Sequence, residues 1–431
     1  MKMSHQFDYR ILPTNEAGET NFLVHLQAPE SPNFKRKPLN LGIVIDRSGS
    51  MNGRKLDQTR EAIKQLIQQL GPKDRISLVT FHSKVETIFT PRFVTDKQTL
   101  YDAVDQIRPG GMTNLSGGWL QGIEHVKAHV EEDAIHRVLL MTDGLANRGI
   151  CEPAQLATIG RDAFEQHHIV TTTLGFGQGF NEDLLERVAE VSGGNFYFIE
   201  NADMVAEVFR EELGDLLKLV AQNIEVTLRC HQDVQLTSQW TTFPENIAAS
   251  SIHYHMGDAY AGQSKNLLVK LDVPAQKLAG QLDIADVSLR YVEVKEDGTE
   301  HCTSTQPVTL LYTDDATEVQ TTPDTSVTRE LGIQIASRAR QEAIDLADQR
   351  RFEEARDALY RAAETLSELN PSDPTLMNEI KNLHKQAAKI IRREHYRRER
   401  KNLKQEVHFA GKGNLVKLMM MREREEKWGE E

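Results

Sequence analysis

The chain has 431 residues, more than one hydrophobic core usually organises, so two or three domains are expected. With 39% hydrophobic and 27% charged residues and no uninterrupted apolar run long enough to span a bilayer, the composition is that of folded domains and gives no support to a membrane-inserted protein. A formal charge of -13 argues against generic nucleic-acid binding, and three scattered cysteines (Cys151, Cys230 and Cys302) fit neither a disulfide framework nor a Cys-x-x-Cys zinc site.

Residues 1–10 carry no secretory pattern, so the cytoplasm is the expected compartment. Strand-like runs fill residues 7–26 and are expected to complete a β-sandwich formed much later in the chain, which makes residues 1–37 part of that domain. From 38 to 219 the pattern is α/β. Apolar, β-branched runs at 41–45, 76–81, 138–141, 169–174 and 196–199 alternate with helix-period stretches at 55–70, 100–107, 117–130, 154–167 and 181–191, and 85–89 adds an edge strand. This predicts an open, mostly parallel six-stranded sheet with helices on both faces, closed by a helix over 203–218.

Residues 220–318 change character. Runs at 224–228, 267–271 and 287–294, several alternating apolar with polar, predict an antiparallel β-sandwich. After a linker at 321–324, residues 324–405 predict a C-terminal α-helical module: a helix pair at 338–349 and 352–369, then one long helix from 376 to about 405. The segment Arg350-Arg351-Phe352-Glu353-Glu354-Ala355 with Ala358-Leu359 resembles the centre of one tetratricopeptide repeat, which alone could not bury its own face. Residues 406–431 are expected to form a flexible tail. Within 375–405 ten Lys or Arg face three Glu, and Lys381, Lys385, Lys389, Arg392, Arg393 and Tyr396 recur at helical spacing, which suggests either a solvated face or a docking stripe for nucleic acid or an acidic partner.

The densest chemistry lies in Ile43-Val44-Ile45-Asp46-Arg47-Ser48-Gly49-Ser50-Met51, an apolar strand ending in one carboxylate and two hydroxyls spaced by two. Open parallel sheets bind ligands at the carboxyl ends of their strands. A hard cation such as Mg²⁺ prefers an octahedron of oxygens, which hydroxyls, carboxylates and water supply while leaving one position for an outside oxygen.

Asp46-x-Ser48-x-Ser50 resembles the first segment of the metal ion-dependent adhesion site of von Willebrand factor A domains, as found in integrin inserted domains. That family places a Thr in a later loop and an Asp after the fourth strand, and here Gly110-Gly111-Met112-Thr113 and Leu140-Met141-Thr142-Asp143-Gly144 follow in order. The resemblance covers about residues 39–219, with a looser likeness of the flanking arrangement to bacterial von Willebrand factor A proteins and inter-alpha-trypsin inhibitor heavy chains. It implies that Ser48, Ser50 and Thr113 coordinate directly while Asp46 and Asp143 act largely through bound waters. The implied ion is Mg²⁺ or another divalent cation such as Mn²⁺ or Ca²⁺, and the implied partner is a protein presenting an Asp or Glu. Arg47, between the ligands, is expected to point to solvent, with attraction of an acidic partner by its charge as the alternative.

Gly175-Phe176-Gly177-Gln178-Gly179 has the wrong spacing for a dinucleotide loop, and His167-His168 and His253-Tyr254-His255 lack further ligands. No nucleophile–base set, His-Glu-x-x-His or phosphate loop is present, so the expectation is a binding protein and not an enzyme. A scaffold or regulatory subunit of a multi-protein ATPase or signalling system, and nucleic-acid binding through the basic helix, are the alternatives.

Overall fold

The computed structural model describes residues 1–30, 37–145, 148–231, 233–243, 245–248, 251–295, 298–392 and 396–428. The chain forms two units, Met1–Asn33 with Val220–Met420, and Phe34–Leu219 with Met421–Glu431. Three strands open it: β1 (Lys2–Phe7), β2 (Ile11–Pro13) and β3 (Gly18–Gln27).

The α/β unit follows as β4 (Leu39–Asp46), α1 (Arg54–Gln69), β5 (Arg75–Phe81), β6 (Val85–Phe93), α2 (Lys97–Asp105), α3 (Leu115–Lys127), β7 (Ile135–Thr142), α4 (Pro153–His167), β8 (Val170–Phe176), α5 (Glu182–Val191), β9 (Phe196–Ile199) and α6 (Met204–Leu216). Its sheet has the order β6-β5-β4-β7-β8-β9, parallel throughout except for β6, which pairs antiparallel with β5. The sheet is flanked by helices, the mostly parallel α/β arrangement expected. Every residue of β4 and β7 is buried, as central parallel strands covered on both faces require. From β4 the chain winds first toward β5 and β6, then returns to β7 on the other side. The connections therefore diverge at the carboxyl ends of β4 and β7, the place where open α/β sheets bind ligands.

Two glycines let α3 lie close on this sheet. A Cβ at Gly122 would come 2.3 Å from Val44 Cγ2, and one at Gly118 would come 2.4 Å from the Phe81 ring. The core beneath contains Val44, Val79, Phe81, Trp119, Val138 and Leu140. Asn114 caps α3 by accepting from Gly117 N–H, which fixes where the helix starts.

The other unit continues with β10 (Leu219–Cys230), β11 (Gln235–Gln239), β12 (Glu245–Ala248), β13 (Ser251–Tyr260), β14 (Ser264–Val273), β15 (Gly280–Lys295) and β16 (Gly298–Thr313). One sheet runs β1-β3-β14-β11 and the other β12-β13-β10-β15-β16-β2. β3 pairs antiparallel with β14 over ten residues, so strands from before and after the α/β segment share one sheet. The short β2 joins β16 in parallel, an exception to the antiparallel pattern. Phe22, Val24, Leu267 and Val269 of the first sheet share one apolar cluster with Val226, Leu228, Tyr254 and Val287 of the second.

Five helices complete the chain: α7 (Thr325–Asp348), α8 (Phe352–Leu369), α9 (Pro374–Ile390), α10 (Tyr396–Gly411) and α11 (Leu415–Trp428). α8 packs on both α7 and α9, which buries the face that a lone helix pair would expose. α7 rests on the sheet through Val327, which meets Leu23 and Leu268.

Two expectations fail here. The single helix over 376–405 is broken after Ile390, and residues 406–411 and 415–428 are helical instead of flexible. Both have one cause. An unbroken helix of that length would extend about 45 Å, past the core, whereas the break turns Leu403 into the α7–α9 core and leaves Phe409 and Ala410 fully buried.

The same packing engages part of the basic run over 375–405. Arg400 pairs with Asp348 at 2.9 Å, Lys389 lies 3.6 Å from Glu399, Lys401 is buried, and the Tyr396 ring meets Phe352 edge-on. Lys381, Lys385 and Arg392 remain exposed, and Arg393 lies outside the described residues. Among the described residues no helix is long and apolar enough to cross a membrane. Cys151 is exposed and Cys230 and Cys302 are half-buried, all three as free thiols.

Candidate metal centre

Strand β4 ends on Asp46, whose Oδ1 accepts from Ser48 N–H at 2.8 Å, and a short 3-10 turn over Gly49–Met51 then carries Ser50. Backbone bonds lace this loop to the segment before α3: Gly110 N–H donates to Arg47 O at 2.8 Å and Gly49 N–H to Gly111 O at 3.2 Å. Gly111 adopts φ +76°, and a Cβ there would strike His82 Nδ1 at 2.6 Å, so only glycine fits the crossing. Thr113 follows directly, immediately before the α3 cap.

β7 brings the third segment. Thr142 Oγ1 donates to Asp46 Oδ2 at 2.6 Å, Ser50 Oγ donates to Asp143 Oδ1 at 2.7 Å, and the Ser48 and Ser50 hydroxyls are 3.1 Å apart. A Cβ at Gly144 would lie 2.8 Å from Thr113 Oγ1 and 3.6 Å from Asp46 Oδ2, so both side chains border this glycine. The fold thus brings Asp46, Ser48, Ser50, Thr113 and Asp143 together at the carboxyl ends of β4 and β7. Four of them are buried and Ser50 is exposed, so the cluster faces out on the Ser50 side.

Burial is the main influence raising the Asp46 pKa above the usual carboxylate range, with the Asp143 charge adding to it while the Thr142 and Ser48 hydrogen bonds oppose it. Two carboxylates held close at low solvent access gain from a shared cation. The donors are all oxygen, from side chains on three loops, a set suited to a hard divalent ion and poor for a soft one. One cation already reaches the cluster: Lys55 Nζ lies 2.5 Å from Asp143 Oδ2.

Three features escaped the sequence reading. Thr142 and Lys55 each bind one of the carboxylates. Arg47 does not point to solvent: its guanidinium lies 2.7 Å from Glu86, donates to Arg108 O at 2.9 Å and to Thr80 Oγ1 at 3.2 Å, and so braces the loop from behind. The Gly175–Gly179 glycines also find a purpose unrelated to nucleotides. A Cβ at Gly179 would come 2.7 Å from Asp143 O, and one at Gly175 would enter the Phe180 ring.

Among the described residues no group of three His, Cys, Asp or Glu is arranged to hold a metal. His168 caps α4 in the left-handed conformation, and His253 and His255 face Glu225 at 3.4 and 3.7 Å.

Residues 40–211 match the model of the von Willebrand factor type A domain. An uncharacterized protein of Synechocystis sp. is 27% identical over 286 residues, 64% of this chain and 67% of that protein. Human inter-alpha-trypsin inhibitor heavy chain H3 is 31% identical over 216 residues, 48% of this chain but only 24% of that much longer protein. In three dimensions, a von Willebrand factor type A protein from Catenulispora acidiphila superposes with TM-score 0.71 at 18% identity, covering 90% of this chain and 89% of that one. The ArnB paralog VWA2 from Sulfolobus acidocaldarius gives TM-score 0.58 at 16% identity, covering 96% and 99% of the two chains. At these identities the structural likenesses speak for the fold, which extends beyond the α/β unit in both.

Proposed function

We propose, from the match of residues 40–211 to the von Willebrand factor type A model, that Asp46, Ser48, Ser50, Thr113 and Asp143 hold one divalent cation, Mg²⁺ or a relative such as Mn²⁺ or Ca²⁺, through which the protein captures an Asp or Glu of a partner protein. The observation that carries this reading is the convergence of two carboxylates and three hydroxyls on three loops tied together by hydrogen bonds. The ion supplies concentrated positive charge and a coordination position that an outside carboxylate oxygen can take. The chain's own residues do the rest. Thr142 and Ser48 fix the Asp46 carboxylate, Ser50 fixes Asp143, and the Gly111 crossing sets Thr113.

The surroundings suit a protein ligand. Met112 and Leu145, adjacent in sequence to Thr113 and Gly144, are 54% and 55% exposed. They offer apolar contacts on the loops that carry the site, the kind of surface that partner contacts desolvate. On this reading the Ser50 hydroxyl orients Asp143 and the Ser48 hydroxyl lies against Ser50, and both serve as cation ligands in a binding site. Nucleic-acid binding by the basic helix has less support, since Arg400 and Lys389 are engaged with acidic side chains.

A peptide-display library panned on the full chain in Mg²⁺ and eluted with EDTA tests the reading. Enriched sequences should carry an Asp or Glu whose Asn or Gln replacement abolishes binding. Enrichment without an acidic residue, or retention in EDTA, would contradict it.

A further inference from the structure

Lys55 stands on the first turn of α1, and its ammonium is aimed into the cluster. Nζ lies 2.5 Å from Asp143 Oδ2 while Ser50 Oγ donates to the other oxygen at 2.7 Å, so both oxygens of a fully buried carboxylate are engaged. The lysine side chain is 36% exposed, which leaves it one wet flank along which it can withdraw.

Its position is built into the fold. Gly177, at φ +62°, faces the lysine, and a Cβ there would sit 3.8 Å from Nζ, so the loop after β8 lies within van der Waals range of the side chain. α1 is anchored against β7 one turn further on, where Thr59 Oγ1 donates to Lys55 O at 2.8 Å and approaches the Met141 sulfur at 3.3 Å. The neighbouring Arg54 and Gln58 are committed elsewhere, both to Asp203 at 2.5 and 3.2 Å. Lys55 alone of this turn points at the carboxylates.

We propose that Lys55 is a tethered counter-cation that competes with the divalent ion for Asp143. Without the ion it neutralises the Asp143 carboxylate and keeps that side chain against Ser50. When the ion arrives, two positive centres share one buried carboxylate, and at low effective dielectric their repulsion is not screened away. The lysine therefore weakens ion binding, and ion binding drives its ammonium off Asp143. This inference rests on the metal-binding reading above.

The test is a Mn²⁺ titration followed by electron paramagnetic resonance on the full chain, comparing wild type with Lys55→Met, Lys55→Gln and Lys55→Arg. The neutral variants should bind Mn²⁺ at least about tenfold more tightly, while Lys55→Arg, which keeps the charge, stays within about threefold of wild type. Melting temperature is read in parallel. The neutral variants should melt lower than wild type in EDTA and gain more from saturating Mn²⁺, because binding to the native state stabilises it. Binding by Lys55→Met or Lys55→Gln with wild type silent also supports the proposal. Equal or weaker binding by both neutral variants, with wild type binding, overturns the role of Lys55 and leaves the metal site standing. No binding by any of the four proteins overturns both.

Discussion

Ser50 Oγ donates to Asp143 Oδ1 across 2.7 Å, although 93 residues separate the two in sequence. That bond ties the loop after β4 to the loop after β7 at the point where the sheet connections diverge. The cluster is therefore a property of the whole α/β unit, and changes to packing below it should be felt as changes in ion affinity.

Thr113 offers the sharpest single-atom test. Thr113→Val keeps the branched shape and removes the hydroxyl that borders Gly144. Mn²⁺ affinity should fall by about tenfold or more, roughly the value of one lost charge-assisted contact, while the thermal midpoint in EDTA stays within a few degrees of wild type. Titration calorimetry and a thermal melt report the two quantities separately.

Gly122 tests the link between helix packing and the site. A methyl group added there would lie 2.3 Å from Val44 Cγ2 and would push α3 from β4. Gly122→Ala should cost about 1–3 kcal/mol in urea denaturation and weaken Mn²⁺ binding, because Thr113 sits just ahead of α3. Gly214→Ala in α6, where nothing lies within 4 Å of the new Cβ, should be neutral or stabilising by up to about 1 kcal/mol.

Arg340 is fully buried in the helical module. It donates to Glu379 at 2.8 Å and to Gln386 at 3.0 Å, and lies 3.2 Å from Glu406. Arg340→Met would remove this guanidinium from beside two buried carboxylates, at a cost of about 3–5 kcal/mol. A triple variant that also replaces Glu379 and Glu406 with Leu should recover much of that loss. Chemical denaturation of the three proteins separates the penalty of unpaired charge from the net worth of the network.

Lys265, on β14, is buried and donates to Met256 O at 2.8 Å. Desolvation holds its pKa at about 8, below the ordinary value of 10.5. The folded state therefore disfavours the ammonium: the penalty is full below pH 8 and is relieved as pH rises toward 10.5, by up to about 3 kcal/mol. Lys265→Met should be more stable than wild type at pH 7, with the gap narrowing between pH 8 and 10.5. A gap that is constant over that window would show that the lysine does not titrate there.

The sheet and the cluster were legible in the sequence for a local reason. Asp46 and Asp143 terminate continuous apolar strands, and the serines and Thr113 sit within a few residues of a strand end or a helix start, so motif order carries the spatial result. Lys55 was illegible because its reach to Asp143 depends on how α1 lies over β7, which no spacing encodes. The contacts of Arg47 were illegible because its partners, Glu86 on β6 and Arg108 after α2, lie far from it in sequence. The break between α9 and α10 has no Pro or Gly to announce it. It arises from tertiary packing of Leu403, with Phe409 and Ala410 buried beyond it, and that packing also orders the segment taken for a flexible tail.

The central claim is that the five-residue cluster binds a cation that the partner's carboxylate then completes. Its most direct test is Mn²⁺ titration of the full chain beside Asp46→Ala, read by electron paramagnetic resonance. One ion per chain in wild type, displaced by Mg²⁺ and EDTA and absent in a folded Asp46→Ala, is the predicted result. Equal Mn²⁺ binding by wild type and Asp46→Ala, or none by either, would contradict it.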